Sequence, residues 1–152
     1  MERIITTNCW AYDGQRILLG LKKRGFAEGK WNGFGGKLLP GETLEQAARR
    51  EVAEECGITI TEMDLLGTVV MEYRGKDKIM EVNIFHVKSF DGEPKESEEM
   101  RPQWFKVEEL PMASMWPDDE HWLPLFLKGL KFKGHFIFEG YDKIINHSLE
   151  II

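Results

Sequence analysis

The chain has 152 residues, enough for one domain with a real core. A net charge of −6 argues against a nucleic-acid polymer as partner, yet allows a nucleotide whose phosphates a metal neutralises locally. No apolar run approaches a secretion signal or a membrane span, and Cys9 and Cys56 are too few for a disulfide framework or a zinc site. They read as buried free thiols of a reducing, cytoplasmic protein without membrane partner, built as a single domain over 1–152.

Arg3 to Tyr12 reads as a strand, turned at Asp13-Gly14 into a second strand from Arg16 to Leu21. Thr7 and Cys9 fall on one face of the first strand and Asn8 on the other, which leaves open which face is buried. Lys22-Lys23-Arg24 follows, either a solvated basic cluster or the source of a lysine that reaches a phosphate. Gly25 to Gly36 is a glycine-rich loop with Phe26, Trp31 and Phe34 interleaved. Such a loop lets backbone approach a ligand closely and turns its N–H and C=O groups toward phosphates or a metal.

Thr43 to Gly57 predicts a helix. Thr43 is an N-cap, Gln46 completes a capping box, and Gly57 suits the left-handed position past the end. At about 100° per residue, Leu44, Ala47, Ala48 and Val52 form one apolar stripe. Glu51 and Glu55 sit within that stripe and Glu54 on its edge. Carboxylates on a packing face cost several kcal/mol each unless a cation meets them. A solvated charge run would avoid that face. Three oxygen ligands on one helix face suit a hard divalent cation such as Mg²⁺.

Leu65 to Arg74 and Ile79 to Ser89 read as strands joined by Gly75-Lys76-Asp77-Lys78, with Asp91-Gly92 as the next turn. Met80, Val82 and Ile84 share one face of the second of these strands, opposite Glu81, Asn83 and Phe85. A charged loop from Glu93 to Glu99 precedes a short strand, Arg101 to Val107. Asp118 is placed to cap a helix running to about Lys128, restricted by Pro124. Capping and macrodipole complementarity are the ordinary reading of Asp118 and Asp119. Lys131 to Gly140 and Asp142 to Ile151 form a last antiparallel pair. The fold class expected is α+β, an α/β/α sandwich with a mixed β-sheet flanked by two main helices.

From Gly36 to Ile58 the chain supplies Gly36, Glu42, Arg50, Glu51, Val52, Glu54, Glu55, Gly57 and Ile58. This stretch, 36–58, resembles a complete Nudix box, G-x5-E-x7-R-E-U-x-E-E-x-G-U with U aliphatic. At roughly one in fifteen per fixed letter, chance gives such a match about once in 10⁸ trials. Landmarks outside the box are similar to the branch of the Nudix family that hydrolyses oxidised purine nucleoside triphosphates. They are residues 20–26, 30–37, 99–105, 115–119 and 132–140, and the similarity runs nearly end to end.

The resemblance implies a Nudix fold and Mg²⁺, with Mn²⁺ as a substitute, as cofactor. It implies metal ligation by Glu51, Glu54, Glu55 and Glu99, with the backbone of Gly35 or Gly36 nearby. Base contacts map to Asn32, Trp116, Asp118 and Asp119, and sugar and phosphate contacts to Thr7, Lys22 and Lys37. Phe34, Gly35, Gly36 and Pro117 complete the implied substrate-binding set. The family's reaction is attack of water on the phosphate chain, releasing nucleoside monophosphate and pyrophosphate from a small-molecule nucleotide. Arg50 is read as orienting Glu54 one turn away, and Glu42 as bonding loop backbone. The base is one of the box glutamates or Glu99. Two adjacent aspartates in an aromatic pocket need not both be ionised; exchanging which one donates would let one pocket read oxidised guanine and oxidised adenine. Asn8 stands where that branch has an apolar residue, and Met71 and Tyr73 where it has phenylalanines. The alternatives are a Nudix hydrolase of another nucleoside diphosphate derivative, or a Nudix module that only binds a nucleotide or protein. The expected assembly is a monomer acting on the cytoplasmic pool, with mitochondrial or nuclear pools as further settings.

Overall fold

A computed structural model describes residues 1–152. Its elements in chain order are β1 (Glu2–Tyr12), β2 (Arg16–Lys22), β3 (Trp31–Asn32), α1 (Leu44–Cys56), β4 (Thr59–Tyr73) and β5 (Lys78–Asp91). After these come β6 (Met100–Lys106), α2 (Asp119–Leu127), β7 (Phe132–Glu139) and β8 (Lys143–Ile151). Eight strands form one sheet in the order β3-β2-β1-β5-β4-β7-β8, with β6 paired on β2. The sheet is mixed: β1 runs parallel to β5 and β4 parallel to β7, while the β1–β2, β4–β5 and β7–β8 pairs are antiparallel.

Both faces of β1 are buried, so alternation along it feeds two cores. Trp10 joins Trp122, Leu123 and Phe126 of α2 on one side of the sheet. Cys9 and Ala11 join Ala48, Val52 and Cys56 of α1 on the other. The same split runs through β5, where Ile84 faces the α2 side and Phe85 the α1 side. This is the α/β/α sandwich that the sequence implies.

The helix α1 is built as its sequence dictates. Thr43 accepts from Gln46 N–H, Gln46 answers to Thr43 N–H, and Gly57 takes φ 76°. That left-handed conformation is inexpensive only for glycine. The second helix differs from expectation. Asp118 stands at the N-cap with helical φ −71° and ψ −22°, and its side chain makes no capping bond. Pro124 lies inside α2 and deprives the Glu120 carbonyl of its usual donor. Two strand boundaries also move. The glycine-rich loop contains β3, which pairs Asn32 with Gly20 and Trp31 with Leu21. β4 begins at Thr59 rather than Leu65, because register shifts between Ile60 and Gly67 break the two-residue period that marks a strand.

Candidate functional site

A cleft of about 200 Å³ opens on the α2 side of the sheet. Its floor is Met80, Val82 and Ile84 of β5 with Met71 and Tyr73 of β4, and Thr6 and Asn8 of β1 enter from the side. Trp116 and Phe26 stand at the rim with ring centroids 5.8 Å apart, and Phe26 also meets Tyr141 at 5.2 Å. Flat aromatic walls over an aliphatic floor suit a planar ring system.

The polar groups in this cleft are few and placed. Asp118 and Asp119 are each 2% exposed. Asp118 Oδ2 accepts from Trp122 Nε1 at 3.0 Å. Asp118 Oδ1 and Asp119 Oδ2 are buried without a partner. Such orphaned acceptors cost stability, so they point to a ligand rather than to a helix cap. Burial pushes Asp118 up to about 6, against the Trp122 bond that favours its ionised form. Burial pushes Asp119 well above the usual carboxylate range, and repulsion from Asp118 adds to this. Burial thus favours a proton on the pair, and repulsion between the two carboxylates disfavours ionising both, so a shared proton leaves one donor beside one acceptor. Opposite lies Asn32, whose Oδ1 accepts from Gly33 N–H at 2.8 Å and from Asn8 Nδ2 at 3.2 Å.

The other end of the cleft reaches Gly35, Gly36 and Thr7 and adjoins the carboxylates of α1. Gly35 N–H donates to Glu55 Oε1 at 2.8 Å. Thr7 N–H donates to the Gly36 carbonyl at 2.9 Å. These glycines are required by contact. A Cβ at Gly35 would lie 2.0 Å from the Thr7 carbonyl oxygen, and one at Gly36 would lie 2.6 Å from the Glu51 carboxyl carbon. Burial pushes Glu55 up to about 7 against the Gly35 bond, with repulsion from Glu51 and Glu99 adding to the rise.

Arg50 is the centre of a network. It bonds Glu42 at 2.7 and 3.0 Å, Glu51 at 2.7 Å and the Lys37 carbonyl at 3.1 Å. Its distance to Glu54 is 3.5 Å, so Arg50 holds Glu51 more closely than the Glu54 that the helix spacing suggests. Glu42 accepts from Leu39 N–H at 2.8 Å, which makes it the loop anchor expected. Lys22 bonds Glu99 at 2.7 Å and Arg24 bonds its other oxygen at 2.8 Å. Those cations hold Glu99 below the usual carboxylate range.

Glu51, Glu55 and Glu99 thus converge closely enough to repel, which is the environment a hard divalent cation relieves. Their donor chemistry fits such an ion. In the present side-chain arrangement no three acidic, His or Cys groups come together as a metal cage.

The remaining expected residues separate. Trp116, Asn32, Asp118, Asp119, Thr7, Gly35 and Gly36 line the cleft. The Phe34 ring, 2% exposed, is buried in the α1-side core, while its backbone pairs with Cys9. Pro117 lines an outer hollow with Lys30 and Glu120. Glu54 has a side chain 60% exposed at the outer edge. Sequence reading missed Trp122, although its position one helical turn after Asp118 was a signal. It also missed Arg24, whose contact with Glu99 only the pairing of β2 with β6 brings about.

A glycine-rich loop joined to a helix with buried-face carboxylates defines a class, and a NUDIX domain profile matches residues 2–126. The chain belongs to the Nudix family, whose hydrolases generally use divalent metal ions. Within the family it is 51% identical to the oxidized purine nucleoside triphosphate hydrolase of Danio rerio, over 89% of this chain and 86% of that protein. It is 50% identical to the Mus musculus protein of the same name over the same shares. A mutator MutT protein from Bacillus halodurans has a crystal structure that matches with TM-score 0.86 and 28% identity, covering 97% of each chain.

Proposed function

We propose that this chain hydrolyses oxidised purine nucleoside triphosphates, such as 8-oxo-dGTP, 2-hydroxy-dATP and 8-oxo-dATP, to the monophosphate and pyrophosphate. The observation that carries the reading is the buried Asp118–Asp119 pair, with two orphaned oxygens, in an aromatic-rimmed cleft that ends at the α1 carboxylates. The two vertebrate relatives named for this substrate class support it. The activity would sanitise the nucleotide pool and prevent incorporation of damaged bases into DNA.

Residues 1–152 act as one catalytic unit in this reading, as a monomer in the cytoplasm or in mitochondrial and nuclear pools. Its partner is a small nucleotide rather than a nucleic-acid polymer or a membrane; no helix is long and apolar enough to cross one. The base lies between the Trp116 rim and the β5 floor. Asn32 donates to it, and Asp118 and Asp119 offer an acceptor and a donor. Exchanging those two roles lets the pocket read more than one oxidised purine edge.

Glu51, Glu54, Glu55 and Glu99, with Gly35 backbone, would hold Mg²⁺, or Mn²⁺ in its place. The ion supplies charge neutralisation for the phosphate chain and orientation of the attacking water. Thr7, Lys22 and Lys37 bind sugar and phosphate. A triphosphate entering beside Lys22 competes with Glu99 for that ammonium and so releases the carboxylate. Burial and repulsion from Glu51 and Glu99 push Glu55 up to about 7 before a cation arrives, so an ion meeting these acids relieves that repulsion. Arg50 keeps Glu51 and the Lys37 carbonyl in place.

The test is a panel of ordinary and oxidised purine triphosphates, dinucleoside polyphosphates and ADP-ribose, assayed with Mg²⁺ for monophosphate and pyrophosphate. Oxidised purines are expected to be turned over with the highest kcat/KM. Equal turnover of ordinary and oxidised purines would overturn the substrate assignment, and a preference for ADP-ribose would place the chain among the hydrolases of other nucleoside diphosphate derivatives.

A further inference from the structure

We propose that Asn8 is a positioning residue for base recognition: it locks the Asn32 carboxamide with its NH2 group free, so this side of the cleft presents donors only. The inference rests on the nucleotide reading above. Two members of the network have no acceptor capacity, the Trp10 indole N–H and the Gly33 peptide N–H. Trp10 is fully buried, and its Nε1 lies 3.0 Å from Asn8 Oδ1. The atom facing the indole must therefore be the amide oxygen. That turns Asn8 Nδ2 toward Asn32 Oδ1 at 3.2 Å. Gly33 N–H donates to the same Oδ1 at 2.8 Å.

Neither carboxamide is free to flip. A flipped Asn8 would set its NH2 against the indole N–H. A flipped Asn32 would set its NH2 against both Gly33 N–H and Asn8. Each is a contact between donors, which leaves buried N–H groups without an acceptor. Asn8 is itself 9% exposed. A Cβ at Gly33 would sit 2.3 Å from Asn8 Oδ1 and 2.5 Å from the Trp10 ring, so the backbone closes over the network.

Directionality therefore runs from the core outward, from Trp10 through Asn8 to Asn32. Asn32 keeps both Nδ2 protons, and Asn8 keeps one, without a protein acceptor. Both residues line the cleft. The base edge they accept is one that presents acceptor atoms, a carbonyl oxygen or an unprotonated ring nitrogen. An edge that presents N–H or NH2 meets donors and is rejected. Specificity is thereby shared: Asn32 fixes the acceptor edge, and the Asp118–Asp119 pair reads the rest.

The experiment measures kcat and KM for 8-oxo-dGTP in the wild type, Asn8→Leu and Asn8→Asp, with inhibition by inorganic tripolyphosphate, which has no base. Asn8→Leu is expected to raise KM about 5–30-fold with kcat lowered less than about threefold. Tripolyphosphate inhibition should stay within about twofold. Asn8→Asp keeps the volume and the bond from Trp10 but turns an acceptor toward Asn32 Oδ1. Its KM should rise further than that of Asn8→Leu, and the ratio to wild type should shrink as pH falls and the new carboxyl regains a proton to donate. Unchanged KM in both variants would overturn the lock. So would an equal loss of tripolyphosphate inhibition, or an Asn8→Asp penalty indifferent to pH. A wild type that turns over ordinary and oxidised purines alike sinks the functional reading instead, and the Asn8 comparison is then read on whichever nucleotide the wild type hydrolyses.

Discussion

Two groups of carboxylates border one cleft, and they are treated in opposite ways. Those beside α1 are compensated: Glu51 by Arg50, Glu55 by Gly35 N–H, Glu99 by Lys22 and Arg24. Those of α2 are not, since Asp118 and Asp119 each leave a buried oxygen without a partner. In the proposed function the difference follows from what each end would meet. A phosphate chain and its cation bring strong charge, so the protein can hold its acids with exchangeable ionic partners until they arrive. A neutral base brings only hydrogen bonds, so the α2 acids must be kept dry and unpaired beforehand, at a cost in stability.

Removing the most buried of the α1 acids gives the largest expected change. Glu55→Gln should lower kcat by about 10³-fold, since in the proposed function it removes charge from the acids that would hold the cation, with the fold intact by circular dichroism. A variant retaining more than about a tenth of the activity would move the essential acid elsewhere. Next comes Gly35→Ala. Its Cβ would meet the Thr7 carbonyl at 2.0 Å, so a loss of about 1–3 kcal/mol in urea unfolding is expected, along with weakened substrate binding. A neutral result would mean that the loop and β1 are not in fixed contact.

Asp119→Asn breaks the comparison from the other side. Turnover of oxidised purines should fall about 10–100-fold through KM, whereas metal binding stays unchanged. Stability should move the opposite way. The folded protein holds the Asp119 proton to a pH well above its ordinary value of 3.8, so folding binds a proton and stability declines as pH rises from about 4 through the folded value. The amide has no such dependence. The variant should therefore melt higher at pH 8, by about 1–3 kcal/mol, with the gap closing below about pH 4. A variant less stable at pH 8 would show that the pair is not strained. The smallest effect is expected at Arg24→Ala. Its side chain and that of Glu99 both reach into water, where an ion pair is screened, so the urea-unfolding midpoint should hardly move. Freed from one of its two cations, Glu99 should titrate higher in a carboxylate NMR titration; an unmoved value would exclude Arg24 as a partner of this acid in solution.

Much of the α1 end was legible because its determinants are local. Thr43, Gln46 and Gly57 bound the helix, and Glu51, Glu54 and Glu55 are related by helical spacing alone. The α2 end was less so. Capping explains Asp118 and Asp119 equally well until Trp122 Nε1 is seen to occupy one oxygen and nothing the other. The Lys22–Glu99 and Arg24–Glu99 contacts join residues more than 70 positions apart, and only strand pairing brings them together. Trp10, Asn8 and Asn32 form a relay no spacing rule announces, because β3 is too short to read as a strand. β4 was truncated in the reading because bulges scramble its alternation.

β1 gives neighbouring residues to opposite ends of the site. Thr7 meets the Gly36 backbone near the acids of α1, and Asn8 meets Asn32 in the base cleft. The strand is clamped along ten register pairs with β5, from Glu2 against Lys78 to Ala11 against Val87. In the proposed function it would serve as a jig, fixing the span between the place where a base is read and the place where a phosphate bond is cut. Lengthening the Asp13-Gly14 turn leaves that span alone. Deleting one residue between Thr6 and Cys9 exchanges the two faces and misaligns both ends together, so discrimination and hydrolysis should fail as one.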